Sequence, residues 1–159
     1  MVIEPTVPEF ARVWQRVQAT GQPTEADETP TPEESDARSE PAVPMQELLQ
    51  REAALRRGYQ LLGLGQCVRA SQRRTRHLSC ACFLLTGARP EPGPEGERPA
   101  FSARAEGLRS QFFAEGELAQ RYRACAESCP DPDVAELFQE LALSCQSSRR
   151  ALIQLLTQT

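Results

Sequence analysis

The chain has 159 residues, of which 40 % are hydrophobic and 25 % charged, and its formal net charge is −4. Its longest apolar run, residues 80–85, is far shorter than the ~20 residues that a membrane span needs. The sequence also lacks a basic cluster with interleaved aromatic residues. We therefore expect neither a membrane nor nucleic acid as a partner.

The first 44 residues differ in composition from the rest. They hold 9 acidic residues against 3 arginines and 7 of the 13 prolines, whereas residues 45–159 hold 13 acidic residues against 15 arginines. Such an acidic, Pro-rich stretch has few large apolar side chains to offset the entropy of ordering. We predict a disordered acidic leader over residues 1–44. A short amphipathic helix over 8–19 carries Phe10, Val13, Trp14 and Val17 on one face; it either docks on the folded part or forms only transiently.

Residues 45–159 carry four helical patterns and no strand-like alternation, which predicts an all-α fold. The predicted helices span 45–62, 67–86, 101–128 and 131–157. Gly87 is typical of a helix C-cap, and Asp131 followed by Pro132 is typical of a helix start. The Pro-rich connection 88–100 is too long for a tight turn and fits a crossover along a four-helix bundle.

The six cysteines are predicted to be reduced. The amino terminus, Met1-Val-Ile-Glu-Pro, lacks the basic start and apolar stretch of a secretion signal, so we expect a cytoplasmic protein. The cysteine spacings match no strong zinc pattern. We therefore expect small, buried thiols rather than a structural zinc site. The cysteines are Cys67, Cys80, Cys82, Cys125, Cys129 and Cys145.

The helices repeat in pairs. Glu52 and Tyr59 in the first helix return at the same spacing as Glu115 and Tyr122 in the third. Glu and Tyr are seven residues apart, which is close to two helical turns, so they share one face of their helix. In the second and fourth helices the polar residues are three apart, close to one turn, and also share a face. The sequence thus predicts two repeated helical hairpins with polar groups at core positions. The matching polar positions of the second and fourth helices are Arg74 and His77, and Cys145 and Ser148.

From Met45 to its end the chain resembles the rubrerythrin and ferritin-like family. In that family each hairpin supplies one Glu, a Tyr two turns later and a Glu-x-x-His pair to a dimetal centre. Residues 74–87 are similar to the family's Glu-x-x-His segment, and residues 131–142 to the start of its last helix. The resemblance implies a ferritin-like four-helix bundle. It also implies reduction of oxygen or peroxide, or oxidation of ferrous iron, as the family's chemistry.

The family's ligand pattern is only half kept. Glu52, His77 and Glu115 fall on its metal-ligand positions. With both glutamates ionised, the Arg74 cation leaves a net charge of −1, whereas four carboxylates would supply −4 against two ferrous ions. We expect such a site to repel metal. The replaced positions are Arg74 and Cys145, where the family has Glu, and Ser148, where it has the second His.

Arg74 is the residue on which the functional interpretation depends. We expect its guanidinium to bridge Glu52 and Glu115 in the interior, because a buried charge needs a partner. The alternative is that Arg74 reaches solvent and leaves the two glutamates solvated. The remaining hydrogen bonds are expected from His77, Tyr59 and Tyr122. For His77 and Cys145 the alternatives to metal ligation are a hydrogen-bonded core histidine and a small core thiol.

The sequence is compatible with two functions of different classes. The first is a bundle without catalytic residues or cofactor, which serves as a scaffold or binding module for an unknown protein partner. The second is a rubrerythrin-like diiron oxidoreductase with an atypical iron or manganese centre. The chain lacks the four-cysteine ribbon of full-length rubrerythrins. A homodimer would be common for such a bundle.

The first hairpin is predicted to be the shorter one. Tyr59 and His77 are 18 residues apart, whereas Tyr122 and Ser148 are 26 apart. Shared between two helices, the missing eight residues shorten each by roughly 6 Å. We expect one end of the bundle to be open or to be covered by another segment, for which the leader helix with Phe10 and Trp14 is a candidate.

Overall fold

The computed structural model describes residues 8–20, 45–91, 93 and 96–158. All regular structure in these residues is α-helical, which confirms the all-α prediction. The rest of the predicted leader, and with it the predicted disorder, lies outside the described residues. No helix in the described part of the chain has the length and apolar character of a membrane span. The helices are α1 (Pro8–Thr20), α2 (Met45–Leu61), α3 (Gly65–Thr86), α4 (Arg104–Ser128) and α5 (Pro132–Thr157).

The helix ends have local causes. Gly63, in the turn between α2 and α3, and Gly87, after α3, both have a positive φ, a conformation that glycine adopts without strain. The N–H of Gly87 donates to the carbonyl of Phe83 and closes α3. At the start of α5 the Asp131 carboxylate accepts from the N–H groups of Asp133 and Val134. α4 begins three residues after the predicted 101, because Ala103 has an extended backbone.

Two helical hairpins form the core of the fold. α2 packs against α3 and α4 packs against α5, and the pairs α2–α4 and α3–α5 join the two hairpins. The first hairpin has helices of 17 and 22 residues, the second of 25 and 26. The first is thus the shorter, as its sequence predicts. Apolar side chains that are at most 1 % exposed fill the interior, among them Leu48, Leu78, Leu108, Leu118, Phe138, Leu141 and Leu152.

α1 packs against α3 and α5. Val13 is 3 % exposed and belongs to the apolar core. The Arg16 guanidinium donates to the carboxylates of Asp131 and Asp133, at distances of 2.6 to 3.1 Å. These aspartates lie at the first turn of α5, where the helix dipole also favours negative charge. The docked position of α1 is therefore tied to the start of α5.

The position of α1 corrects one expectation. Arg16 of α1 bonds the aspartates at the start of α5, whereas the shortened end of the bundle is the turn between α2 and α3. There the Leu62 carbonyl accepts from Arg104, and a Cβ on Gly107 would lie 2.8 Å from Leu62 and 2.9 Å from Phe101. Phe101 and the end of the crossover thus cover this end, and α1 does not. The side chain of Phe10 lies outside the described residues.

Candidate functional site

Arg74 lies in the interior between the two hairpins. Its side chain is 1 % exposed, and those of Glu52 and Glu115 are 0 % exposed. Its Nε donates to Glu52 Oε1 at 2.6 Å, and its Nη2 to Glu52 Oε2 at 3.2 Å and to Glu115 Oε1 at 2.9 Å. One guanidinium therefore bridges a carboxylate of α2 and a carboxylate of α4, as expected from the sequence. We call these three residues and their hydrogen-bond partners the Arg74 cluster.

Helical spacing brings these side chains inward. Glu52 shares the buried face of α2 with Leu48, Leu55 and Tyr59, at intervals of three or four residues. Arg74 shares the buried face of α3 with Ser71 and Leu78. A buried ion on such a face is stable only when partners from the facing helices reach it. Here the partners come from α2, α4 and α5.

The two tyrosines cross between hairpins. The Tyr122 hydroxyl of α4 donates to Glu52 Oε1 at 2.6 Å, and the Tyr59 hydroxyl of α2 donates to Glu115 Oε1. Each tyrosine thus bonds the glutamate of the other helix. Both rings are 0 % exposed. Burial and the neighbouring carboxylate raise the pKa of both hydroxyls, so both stay protonated and act as donors.

Serines supply the remaining hydrogen bonds of the guanidinium and of Glu52. The Ser71 hydroxyl donates to Glu52 Oε2 at 2.8 Å. Nη1 of Arg74 lies 3.4 Å from the hydroxyls of both Ser144 and Ser148 on α5, which are longer contacts. Ser148 is one of the predicted replacements. Ser71 and Ser144 are not among the predicted site residues. The position of Ser71, three residues before Arg74, places it on the same helix face and could have indicated it.

Glu115 has the weaker set of partners. Its Oε2 is buried and has no hydrogen-bond partner among the described residues. Burial raises the pKa of Glu115, and Arg74 and Tyr59 only partly oppose this effect. Cys145, 0 % exposed, lies beside it, and burial raises the pKa of the Cys145 thiol. With both glutamates ionised the cluster would carry a net charge of −1, and a proton on Glu115 makes it neutral.

His77 lies three residues after Arg74 and is half-buried. Burial, with a smaller contribution from the Arg73 cation, lowers the pKa of His77 to about 4. The imidazole is therefore neutral at pH 7. Its predicted hydrogen bonding within the Arg74 cluster stays a prediction.

The donor set does not fit a dimetal centre. A permanently charged guanidinium lies within 3.2 Å of both carboxylates, in the space that bridging metal ions would need. Metal ions of this type need several oxygen or nitrogen ligands with an excess of negative charge. Within the described ranges, no group of three or more His, Cys, Asp or Glu side chains is arranged to hold a metal ion. We therefore derive no metal chemistry from these residues.

Comparisons with protein families, with characterised proteins and with solved structures find no match to this chain.

Proposed function

We propose that this protein is a degenerate member of the rubrerythrin and ferritin-like family that has exchanged its metal centre for an ion pair. In this proposal the four helices α2 to α5 form a ferritin-like bundle without catalytic residues. The bundle serves as a scaffold or binding module for a protein partner. The supporting observation is the Arg74 guanidinium between Glu52 and Glu115, where the family's metal ions would be expected.

The chemistry of the cluster supports this role. A guanidinium keeps its charge at all relevant pH values and has no redox chemistry. Three hydrogen bonds of the cluster join one hairpin to the other: Tyr59 to Glu115, Tyr122 to Glu52 and Arg74 to Glu115. The cluster therefore fixes how the two hairpins pack and leaves the outer surface free for binding.

The oxidoreductase alternative requires the cluster to open. Arg74 would have to leave both carboxylates, and a buried carboxylate that loses its partner costs several kcal/mol. The replaced positions Cys145 and Ser148 would then supply a thiol and a hydroxyl in place of a carboxylate and an imidazole. Neither is a good ligand for a carboxylate-bridged iron or manganese pair.

The deciding measurement is the metal content of the full-length protein. The protein is expressed in medium with added iron and manganese, purified without chelators and analysed for metals. We expect well below one metal ion per chain. A content of about two iron or manganese ions per chain would overturn the proposal.

A restoring variant tests the cause. The combined substitutions Arg74→Glu, Cys145→Glu and Ser148→His rebuild the family's ligand set, and we expect this variant to gain metal. Arg73→Glu is the matched control, since Arg73 is the exposed neighbour of Arg74 on the same helix. We expect the control to contain as little metal as the original chain. Circular dichroism verifies that each variant is helical.

A further inference from the structure

A cavity of about 690 Å³ lies between α1 and α3. Its volume is within the ~300–1,000 Å³ that is usual for ligand sites. None of the described residues that line it forms a hydrogen bond with the side chain of Glu52, Arg74 or Glu115. Most of its walls are apolar, from Trp14 and Val17 on α1 and from Cys80 and Phe83 on α3. Trp14 is 46 % exposed, so the cavity opens to solvent beside a large apolar ring.

The charges around this cavity have one sign. Arg76 and Arg89 line it, and no acidic side chain occurs among its described lining residues. Both arginines are exposed, and neither forms an ion pair within the part of the chain that the structure describes. We call this surface the α1–α3 groove; it is defined by Trp14, Val17, Arg76, Cys80, Phe83 and Arg89.

A second cavity of about 600 Å³ extends the groove toward α2. The two cavities share Thr75, Ser79 and Pro90, so they adjoin along α3. The second is lined by Arg56 and Arg57 as well as by Glu91 and Glu97, and its charges balance. The excess of positive charge therefore lies at the apolar end, around Arg76 and Arg89.

We propose that the α1–α3 groove binds an acidic amphipathic peptide segment of a partner protein. This deepens the binding role proposed above and rests on it. Apolar side chains of the segment fill the cavity between Trp14 and Phe83. Its carboxylates pair with Arg76 and Arg89, because the planar guanidinium matches a carboxylate with two parallel hydrogen bonds.

An elongated peptide fits this surface better than a compact ligand. The groove continues across α3 into the second cavity, and an amphipathic helix laid in an apolar groove is a common mode of peptide recognition. Exposed arginine–carboxylate pairs contribute little on their own, so most of the binding must come from the apolar contacts. The arginines then select the charge of the peptide and make binding sensitive to salt.

Trp14 provides the readout, since it is the only tryptophan of the chain. The full-length protein is titrated with a short synthetic helical peptide of leucine and glutamate, and with a matched peptide that has lysine in place of every glutamate. We expect a saturable blue shift of Trp14 emission with the acidic peptide alone, and weaker binding as salt is raised. Equal responses to both peptides, or no saturable response, would overturn the proposal.

Variants locate the site. We expect Arg76→Glu and Arg89→Glu each to raise the dissociation constant about fivefold or more, since each replaces attraction by like-charge repulsion. Phe83→Ala should weaken binding through lost apolar contact. The matched control is Arg109→Glu, an exposed arginine on α4, a helix that lines neither cavity. A control variant that loses binding as strongly as Arg76→Glu would show nonspecific charge attraction and contradict the assigned site.

Two other occupants are outcomes of the same experiment. The first is the chain's own acidic stretch within residues 21–44, tested in a full-length variant whose Asp and Glu residues there are changed to Asn and Gln. Peptide binding that appears only in this variant would assign the groove to that stretch and overturn the proposal. The second is another copy of the chain. Self-association that Phe83→Ala and Arg76→Glu abolish would also overturn it.

The two proposals fail separately. A chain that contains no metal and binds neither peptide overturns the groove proposal alone. If the chain contains about two metal ions and binds the acidic peptide, the proposal of a lost metal centre is wrong and the groove proposal stands.

Discussion

The first helices of the two hairpins carry the same residue types at the site, whereas the second helices carry different ones. α2 and α4 present the same pair of residue types, Glu and Tyr, and the structure joins each Tyr to the other hairpin's Glu. In α3 and α5 the matching positions hold Arg74 and Cys145, a permanent cation and a buried thiol. The repeat therefore keeps the geometry of the Glu and Tyr pairs, while the interior cation comes from the first hairpin alone. A single cation serves two carboxylates, and Glu115 receives the smaller share of its hydrogen bonds.

Removal of the Arg74 cation is expected to cause the largest loss of stability. Arg74→Ala leaves two buried carboxylates that repel each other and have lost a partner, which costs about 3–5 kcal/mol in the free energy of unfolding. Denaturation by urea measures the loss. If the ion pair is the cause, Arg74→Met combined with Glu52→Gln and Glu115→Gln recovers most of it. A loss below about 1 kcal/mol for Arg74→Ala would contradict a tightly coupled interior.

Removal of the tyrosine hydroxyls, which bond the glutamates of the opposite hairpin, is expected to cause a loss of stability of intermediate size. Tyr59→Phe and Tyr122→Phe each remove one hydrogen bond to a buried carboxylate, and we expect each to lower the free energy of unfolding by about 1.5–3 kcal/mol. The two losses should be similar, because the bonds are related by the repeat. The double variant tests coupling through the shared guanidinium. A large loss of stability for one variant and none for the other would show that the two related hydrogen bonds do not contribute equally to stability.

The smallest expected effect is a pH dependence that belongs to Glu115. Its pKa is raised in the folded state, so the contribution of this group to stability is present below its ordinary value near 4.5 and is lost as pH rises through the folded pKa. Glu115→Gln removes the titration. We therefore expect the stability of this variant, relative to the original chain, to increase from pH 4 toward neutral pH. Glu117→Gln, at an exposed position of α4, is the matched control.

Much of the Arg74 cluster could be predicted, because it depends on local spacing. Glu52, Tyr59, Glu115 and Tyr122 follow helical periodicity within single helices, and the structure buries all four. The bridging position of Arg74 followed from charge balance between them. This is why a short list of residues was sufficient to anticipate the ion pair.

Other features depend on how the helices rotate and where they meet. In α3 the fully buried side chains include Ser71 and Leu78, whereas His77, which was predicted at a core position, is only half-buried. α3 packs against α2, α5 and α1, and its rotation depends on these contacts between helices. The same holds for Phe101, which covers the short end only because Gly107 leaves room for its ring.

The division of the Arg74 cluster between hairpins has a consequence for assembly. Two chains that exchanged their second hairpins through the 88–100 connection would rebuild every bond between Tyr59, Glu115, Tyr122 and Glu52 across the pair. The interior is thus equally satisfied in a monomer and in a domain-swapped dimer. The length and stiffness of the Pro-rich connection therefore decide between these two forms.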